Sequence, residues 1–523
     1  MNQTELSLHE KICQSMIVQA NPDKHKKQFG SIKNFLSEYP VGGIFVGGEV
    51  IREAKDDRER IMEIISEYRE NSRYPLLVAA DGENGIGGAV KGFTVLPPEM
   101  AVGASGDERL AYEFGRVCAL EAASIGINQT FAPVCDLNIN RLNLITGTRS
   151  LGDDPDRAIP LLRQIIRGFQ ENGLLATGKH FPGDGIDYRN QHIVTSCNSL
   201  SREEWLNKSG AMFRAAIEAD IASIMVGHIS LPAYQTDAFK GHYPPATLSK
   251  DLITGLLKGE LGFRGTVITD ALDMGGFVRW YDDRDVSEVN TYACGSDMLL
   301  WPHLRTIAAI EEAVRQGRIP MERVEDAVSR VIRLKSRIKP VKPGIHEEYT
   351  RLAEETAKEL AVKGTCLINN ELNLIPLKKD RIKKVRLVGI TPDDSRFAKT
   401  ALLAEEFRRR GADVSIVRNW DNYLKDFHTE VDRDYDLIVY CMLNPHNMPT
   451  HLFLKDNVSA HSALSFDRDK TVIVSFGSPY FYKDFFETAE TFVNSYYCDI
   501  CMKTFVEGLY GECEFTGTPP VVL

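Results

Sequence analysis

The chain lacks what would direct it to a membrane or a nucleic acid. No apolar run approaches the roughly 20 residues that cross a bilayer, so no spanning helix is expected. Lys and Arg number 62 against 73 Asp and Glu, a net charge of −11. Neutralising phosphates takes clustered cations, so a nucleic-acid partner is not expected either. Residues 1–21 have no uninterrupted apolar core and no small-residue cleavage site, which argues against secretion. Their apolar side chains Ile12, Met16 and Ile17 fall at helical spacing. Cysteine is thin, ten in 523 residues from Cys13 to Cys513, and only Cys498 and Cys501 stand close together. With no second pair and no His cluster, neither a metal nor a redox motif is implied. Reduced thiols in the cytosol are the reading. The His-x-His pair of metal-dependent barrel hydrolases is missing, as are internal repeats and low-complexity tracts. No cofactor is expected.

What is present is an ordinary globular balance, 43% hydrophobic and 26% charged, in a chain long enough for a large and a smaller domain. Short apolar runs alternate with amphipathic segments over the first 340 residues. Candidate strands are Val41–Val46, Leu76–Ala80, Thr130–Val134, Leu175–Gly178, Ile221–Val226, Thr266–Thr269 and Asp297–Leu300. Helical patterns such as Leu110–Ser124 and Asp156–Gln170 lie between them. That βαβ alternation predicts a parallel α/β sheet closed as a (β/α)8 TIM-type barrel over residues 1–340. A periodic helix, Met321–Ile338, ends at Lys339-Pro340-Val341-Lys342-Pro343-Gly344, read as a linker. A further helix, His346–Val362, leads into residues 365–523. Runs at Val385–Val388, Val414–Val417, Leu437–Cys441, Thr471–Ser475 and Thr491–Asn494 predict a smaller three-layer α/β/α sandwich there.

Polar residues terminate several of the barrel runs. Asp270 closes Gly265–Thr269, a position that can place a carboxylate beneath an anomeric carbon or cap the next helix. Lys179 and His180 follow Leu175–Gly178 and suit sugar hydroxyls or an ordinary ion pair. Pro182, Gly183 and Gly185 shape the next turn, which carries Asn190 and His192. A loop histidine titrates near neutrality and can serve as acid and base, although loop histidines are often merely solvated. Asp81 and His228 end two further runs in the same way. Arg149, in Gly147-Thr148-Arg149-Ser150, can donate to a hydroxyl or pair with Asp136 or Asp154. Five polar strand ends on one rim point to a sugar hydrolase.

These residues resemble glycoside hydrolase family 3, in particular its β-N-acetylglucosaminidase branch. The branch loop K-H-F-P-G-x-G-x4-D-x-H matches Lys179 to His192, and G-F-x-G-x-v-x-(S/T)-D-a-l-x-M matches Gly262 to Met274. The resemblance implies a retaining, exo-acting enzyme. Asp270 forms the glycosyl-enzyme, His192 is acid and then base, and Asp81, Arg149, Lys179 and His180 hold the terminal sugar. Three departures stand out. Asn190 replaces the aspartate two residues before the histidine, where it could select the other imidazole tautomer. Ile86 and Ala89 replace two arginines, and Arg141 and Leu144 replace two prolines. Asp184 or Asp187 could compensate for Asn190. The expected substrate is an oligosaccharide or a peptidoglycan fragment. The alternatives are a glycoside phosphorylase, a glucosidase, or a sugar sensor weakened by Asn190 and Ala89. A homodimer is left open.

Overall fold

The eight barrel strands run from two to seven residues. The computed structural model describes residues 3–236, 238, 241–340, 343–391, 393–418, 432–444, 467–485 and 490–523. Residues 341 and 342 of the expected linker thus lie outside the described residues. The barrel strands are β1 (Met16–Gln19), β2 (Gly43–Phe45), β3 (Leu77–Ala80), β4 (Gln129–Thr130), β5 (Leu175–Phe181), β6 (Ser223–Val226), β7 (Thr266–Thr269) and β8 (Leu299–Leu300). They pair in parallel in the order β8-β1-β2-β3-β4-β5-β6-β7. A parallel bridge between Ile268 and Met298 returns β7 to β8 and closes the ring.

One expectation fails at the start of the chain. The helical spacing of Ile12, Met16 and Ile17 spans two elements: a helix, Leu8–Cys13, and then β1. Ser7 and Glu10 form a capping box that starts the helix. Met16, Ile17 and Val18 are buried in succession, which suits a barrel strand covered on both faces rather than a one-sided helix. The other barrel runs appear within a few residues of expectation. Ile17, Leu77, Phe131, Leu175, Met225, Ile268 and Met298 fill the interior. A polar layer sits beneath the mouth, where Gln129 donates to Thr177 and Ser223 at 3.3 and 3.2 Å.

Cα proximity divides the chain into two units. The first holds Met1–Val95, Ala111–Leu137 and Leu162–Ala353; the second holds Leu96–Leu110, Asn138–Leu161 and Glu354–Leu523. The second unit thus takes two segments from within the barrel's stretch of sequence, and Arg149 falls in one of them. Its sheet contains β9 (Cys366–Asn370), β10 (Lys384–Ile390), β11 (Asp413–Arg418), β12 (Leu437–Met442), β13 (Thr471–Phe476) and β14 (Thr491–Ser495). The order is β9-β14-β13-β12-β10-β11, parallel except for β9 against β14. β9 was not foreseen because only Cys366 in it is fully buried. No helix among the described residues is long and apolar enough to cross a membrane.

Candidate active site

The candidate site residues Asp81, Lys179, His180 and Asp270 lie at the C-terminal ends of barrel strands. The strands β3, β5 and β7 are buried and lead at this end into Asp81, Lys179 with His180, and Asp270, so the backbone ladder fixes where those side chains start. On β5 the register with β6 shifts between Gly178 and Phe181. Such an irregularity re-aims the residues inside it, and those residues are Lys179 and His180.

Lys179 is buried, and its Nζ lies 3.0 Å from Asp81 Oδ1 and 2.6 Å from Glu83 Oε1. Asp81 is half exposed while Glu83 is nearly covered. Glu83 therefore anchors the ammonium, leaving the Asp81 carboxylate open at the mouth. His180 is held by Asp136, whose Oδ2 lies 2.6 Å from Nδ1. Asp136 Oδ1 also accepts the backbone N–H groups of His180 and Asp184, at 3.1 and 2.7 Å. The carboxylate read as a possible partner of Arg149 serves His180.

Asp270 follows β7, and its Oδ1 accepts the N–H of Ala271 at 2.8 Å. Burial works to raise its pKa. The fields of His180 and His228, the Ala271 N–H and Lys179 outweigh burial, so the carboxyl lies below the usual aspartate value. An ionised carboxylate is what attack on an anomeric carbon requires. His228 corrects an expectation. It is fully buried, with Nδ1 3.0 Å from Thr247 Oγ1 and Nε2 2.9 Å from the Ala271 carbonyl. No ring nitrogen is left for a substrate. Burial pushes its pKa down, and its two ring hydrogen bonds orient the turn behind Asp270.

The loop after β5 carries Asn190 and His192 and is docked. Gly275 N–H donates to His192 O at 2.8 Å, and Gly276 N–H donates to Gln191 O at 3.1 Å. A Cβ on Gly275 would meet Ile193 O at 2.3 Å, and one on Gly276 would meet Gln191 O at 2.5 Å. Both positions need glycine because the loop backbone passes so close. The Gln191 side chain fastens the loop from within, donating to Asp184 Oδ2 at 3.3 Å and accepting His228 N–H at 2.9 Å. Asp187 accepts from Arg189 and Cys197.

His192 is exposed, and its tautomer can be read from Asn190. Asn190 Oδ1 accepts the His192 backbone N–H at 2.9 Å and lies 2.8 Å from Nδ1. A backbone N–H can only donate, so the atom facing it is the amide oxygen, and the ring nitrogen facing that same oxygen must carry a proton. Asn190 therefore favours the Nδ1–H tautomer, the opposite of the concern that Asn would select the other one. Arg149 ends the turn Gly147–Arg149 in the second unit and donates to Ile145 O at 3.2 Å. Its expected sugar contact rests on the resemblance. Glu83, Gln191, Thr247 and the Gly275–Gly276 pair were not assigned from sequence, and Asp136 was read only as a possible partner of Arg149. Only the glycine pair carried a local signal, two glycines five and six residues after the carboxylate.

Residues 7–334 match the model of the glycosyl hydrolase family 3 N terminal domain. The chain belongs to that family. A beta-N-acetylglucosaminidase/beta-glucosidase of Cellulomonas fimi is 29% identical over 516 residues, covering 92% of this chain and 89% of that protein. Beta-hexosaminidase A of Pseudoalteromonas piscicida is 23% identical over 79% of this chain and 73% of its own length. Among solved structures, the beta-glucoside phosphorylase BglX bound to 2FGlc superposes with a TM-score of 0.86 at 27% identity, over 99% of this chain and 95% of that one. A family 3 beta-N-acetylglucosaminidase from Paenibacillus sp. str. FPU-7 gives 0.82 at 26% identity, over 99% of both chains.

Proposed function

We propose that the protein is an exo-acting, retaining β-N-acetylglucosaminidase of oligosaccharides or peptidoglycan fragments in a reducing compartment. The observation that carries this is the docking of the His192 loop on Gly275 and Gly276, in the turn that follows Asp270. A carboxylate and an imidazole are thereby hung on one piece of backbone. Asp270, ionised, attacks C1 from below as the His192 imidazolium passes its Nε2 proton to the leaving oxygen. The neutral imidazole then takes a proton from water, which attacks the glycosyl ester from the opposite face, and the β configuration is restored. Asp81 accepts from sugar hydroxyls, Lys179 and His180 donate to them, and Asn190 holds the ring. NMR of the first anomer released from an aryl β-N-acetylglucosaminide should show β product; α product refutes the two-step route.

Phosphorolysis is the second reading, favoured by one observation. A cavity of about 480 Å³ opens beside Ile193 and Val194, next to His192; its lining among the described residues includes His242, Arg279 and Arg189, the last paired with Asp187, and no acidic side chain. The chain as a whole carries −11, so this local reversal suits an anionic acceptor. Asn190 removes one more negative charge from the approach. Titrating inorganic phosphate decides between them: a rate that rises with phosphate and yields glycosyl phosphate supports phosphorolysis, and an unchanged rate excludes it.

A further inference from the structure

Two sets of hydrogen bonds act on the turn that carries Arg149. The first set shapes it. Asn143 Oδ1 accepts the N–H groups of Ile145 and Thr146 at 2.9 and 2.7 Å, and Thr146 O accepts that of Arg149 at 2.9 Å. Asn138 N–H donates to Gly152 O at 2.8 Å, so residues 138–152 close on themselves as a compact loop. These bonds give the loop a shape but not a place.

The second set fixes the place, and its partners lie after Ser478, within the same unit. Tyr480 Oη donates to Asn138 O at 2.7 Å. Asp153 N–H donates to Pro520 O at 3.1 Å, while Asp153 Oδ2 accepts the Val522 N–H at 2.8 Å. Arg157 Nη1 donates to Pro519 O at 2.9 Å. Gly152 has a φ of 142°, and a Cβ there would run into Pro520 O. The stretch over residues 519–522 is anchored in turn, since Thr518 N–H donates to Ala104 O at 2.9 Å and Gly517 N–H to Thr365 O at 3.0 Å. Arg141 and Leu144 stand where the resemblance expects prolines. Proline would hold φ near about −65° and stiffen the loop by itself. This chain lacks that local stiffness, and Arg141 instead reaches Asp484, with Nη1 3.4 Å from Oδ1.

We propose that Tyr480, Asp153 and residues 519–522 are positioning residues. They hold the loop of Arg149, and through Arg149 the terminal sugar, where prolines would otherwise have stiffened it. The second unit thereby tunes sugar affinity without touching the sugar through its own sheet. This rests on the function proposed above and on the sugar contact that the resemblance gives Arg149.

Kinetics on p-nitrophenyl N-acetyl-β-glucosaminide provide the test. Tyr480→Phe and Asp153→Ala should each raise KM about three- to tenfold and change kcat by less than about twofold, as loss of a ground-state grip does. Combined with Arg149→Ala, neither should raise KM further, because the residue they act through is gone. Arg141→Pro should restore part of the affinity lost in Tyr480→Phe, local stiffness replacing a lost tie. An unmoved KM in the single variants overturns the proposal, as does an effect that is equally large beside Arg149→Ala. So does an Arg149→Ala variant with the parent's KM, or a Tyr480→Phe loss that Arg141→Pro leaves whole. If the parent protein cleaves no glycoside, the function proposed above fails separately. Calorimetric titration of N-acetylglucosamine into the same variants then puts Kd in place of KM, with the same criteria.

Discussion

Replacing Asn190 by Asp tests the acid/base assignment most directly. The Asn190 oxygen lies 2.8 Å from His192 Nδ1, so the change puts a carboxylate on an existing hydrogen bond with little movement. A neutral acceptor contributes about 0.5–1.5 kcal/mol and a charged one about 1.5–3. Because His192 is exposed, solvent screening keeps the gain near the bottom of the difference, about 1 kcal/mol in favour of the imidazolium. That corresponds to about 0.7 of a pH unit. The protonated form donates to the leaving oxygen, so activity is lost as pH rises through the imidazole pKa, and Asn190→Asp should carry that alkaline limb upward. Asn190→Ala removes the acceptor, frees the tautomer and should lower kcat about tenfold or more. Profiles of kcat/KM between about pH 5 and pH 9 for parent and both variants provide the measurement. A limb that stays or moves down in Asn190→Asp, together with an unaffected Asn190→Ala, refutes the role given to His192.

Asp270→Asn keeps the shape and removes the nucleophile, so kcat should drop by about 10⁴ or more while circular dichroism is unchanged; residual turnover near parent level would refute the covalent step. Gly275→Ala drives a Cβ to 2.3 Å from Ile193 O, worth about 1–3 kcal/mol of displacement. Its kcat should fall well below that of Gly255→Ala, where the nearest atom is 3.9 Å away; equal kcat values would show that the docking is irrelevant. Lys335 is fully buried, donates to Gln14 Oε1 at 2.6 Å, and burial pushes its amine down to about 7. The unfolded chain holds that proton to about pH 10.4, so unfolding takes up a proton between those values and stability rises with pH across that window. Lys335→Met should flatten the rise and add about 1–3 kcal/mol at pH 7 by urea denaturation; an unchanged slope refutes the burial argument.

Strand ends were legible because a barrel strand writes itself as an apolar run broken by one polar residue, as at Asp81, Lys179 and Asp270. β1 was not, since its four residues sit close behind a helix and the joint spacing imitates one longer helix. The roles of Asp136 and His228 were hidden for another reason. Their partners, His180, Thr247 and Ala271, lie 19 to 44 residues away in the chain, and only the closed sheet brings them together. Asn190 shows the limit of motif comparison. The letter change suggested a lost tautomer, whereas two hydrogen bonds to a single oxygen restore it.

The glycine pair behind Asp270 has a mechanical consequence for the proposed site. With the His192 segment suspended from that corner by main-chain bonds, a drift of the corner carries the proposed acid/base and the proposed nucleophile in the same direction. Their mutual spacing is thereby insulated from changes elsewhere on the rim, leaving the outer walls free to diverge toward new aglycones or acceptors while the bond-breaking pair travels as one cassette.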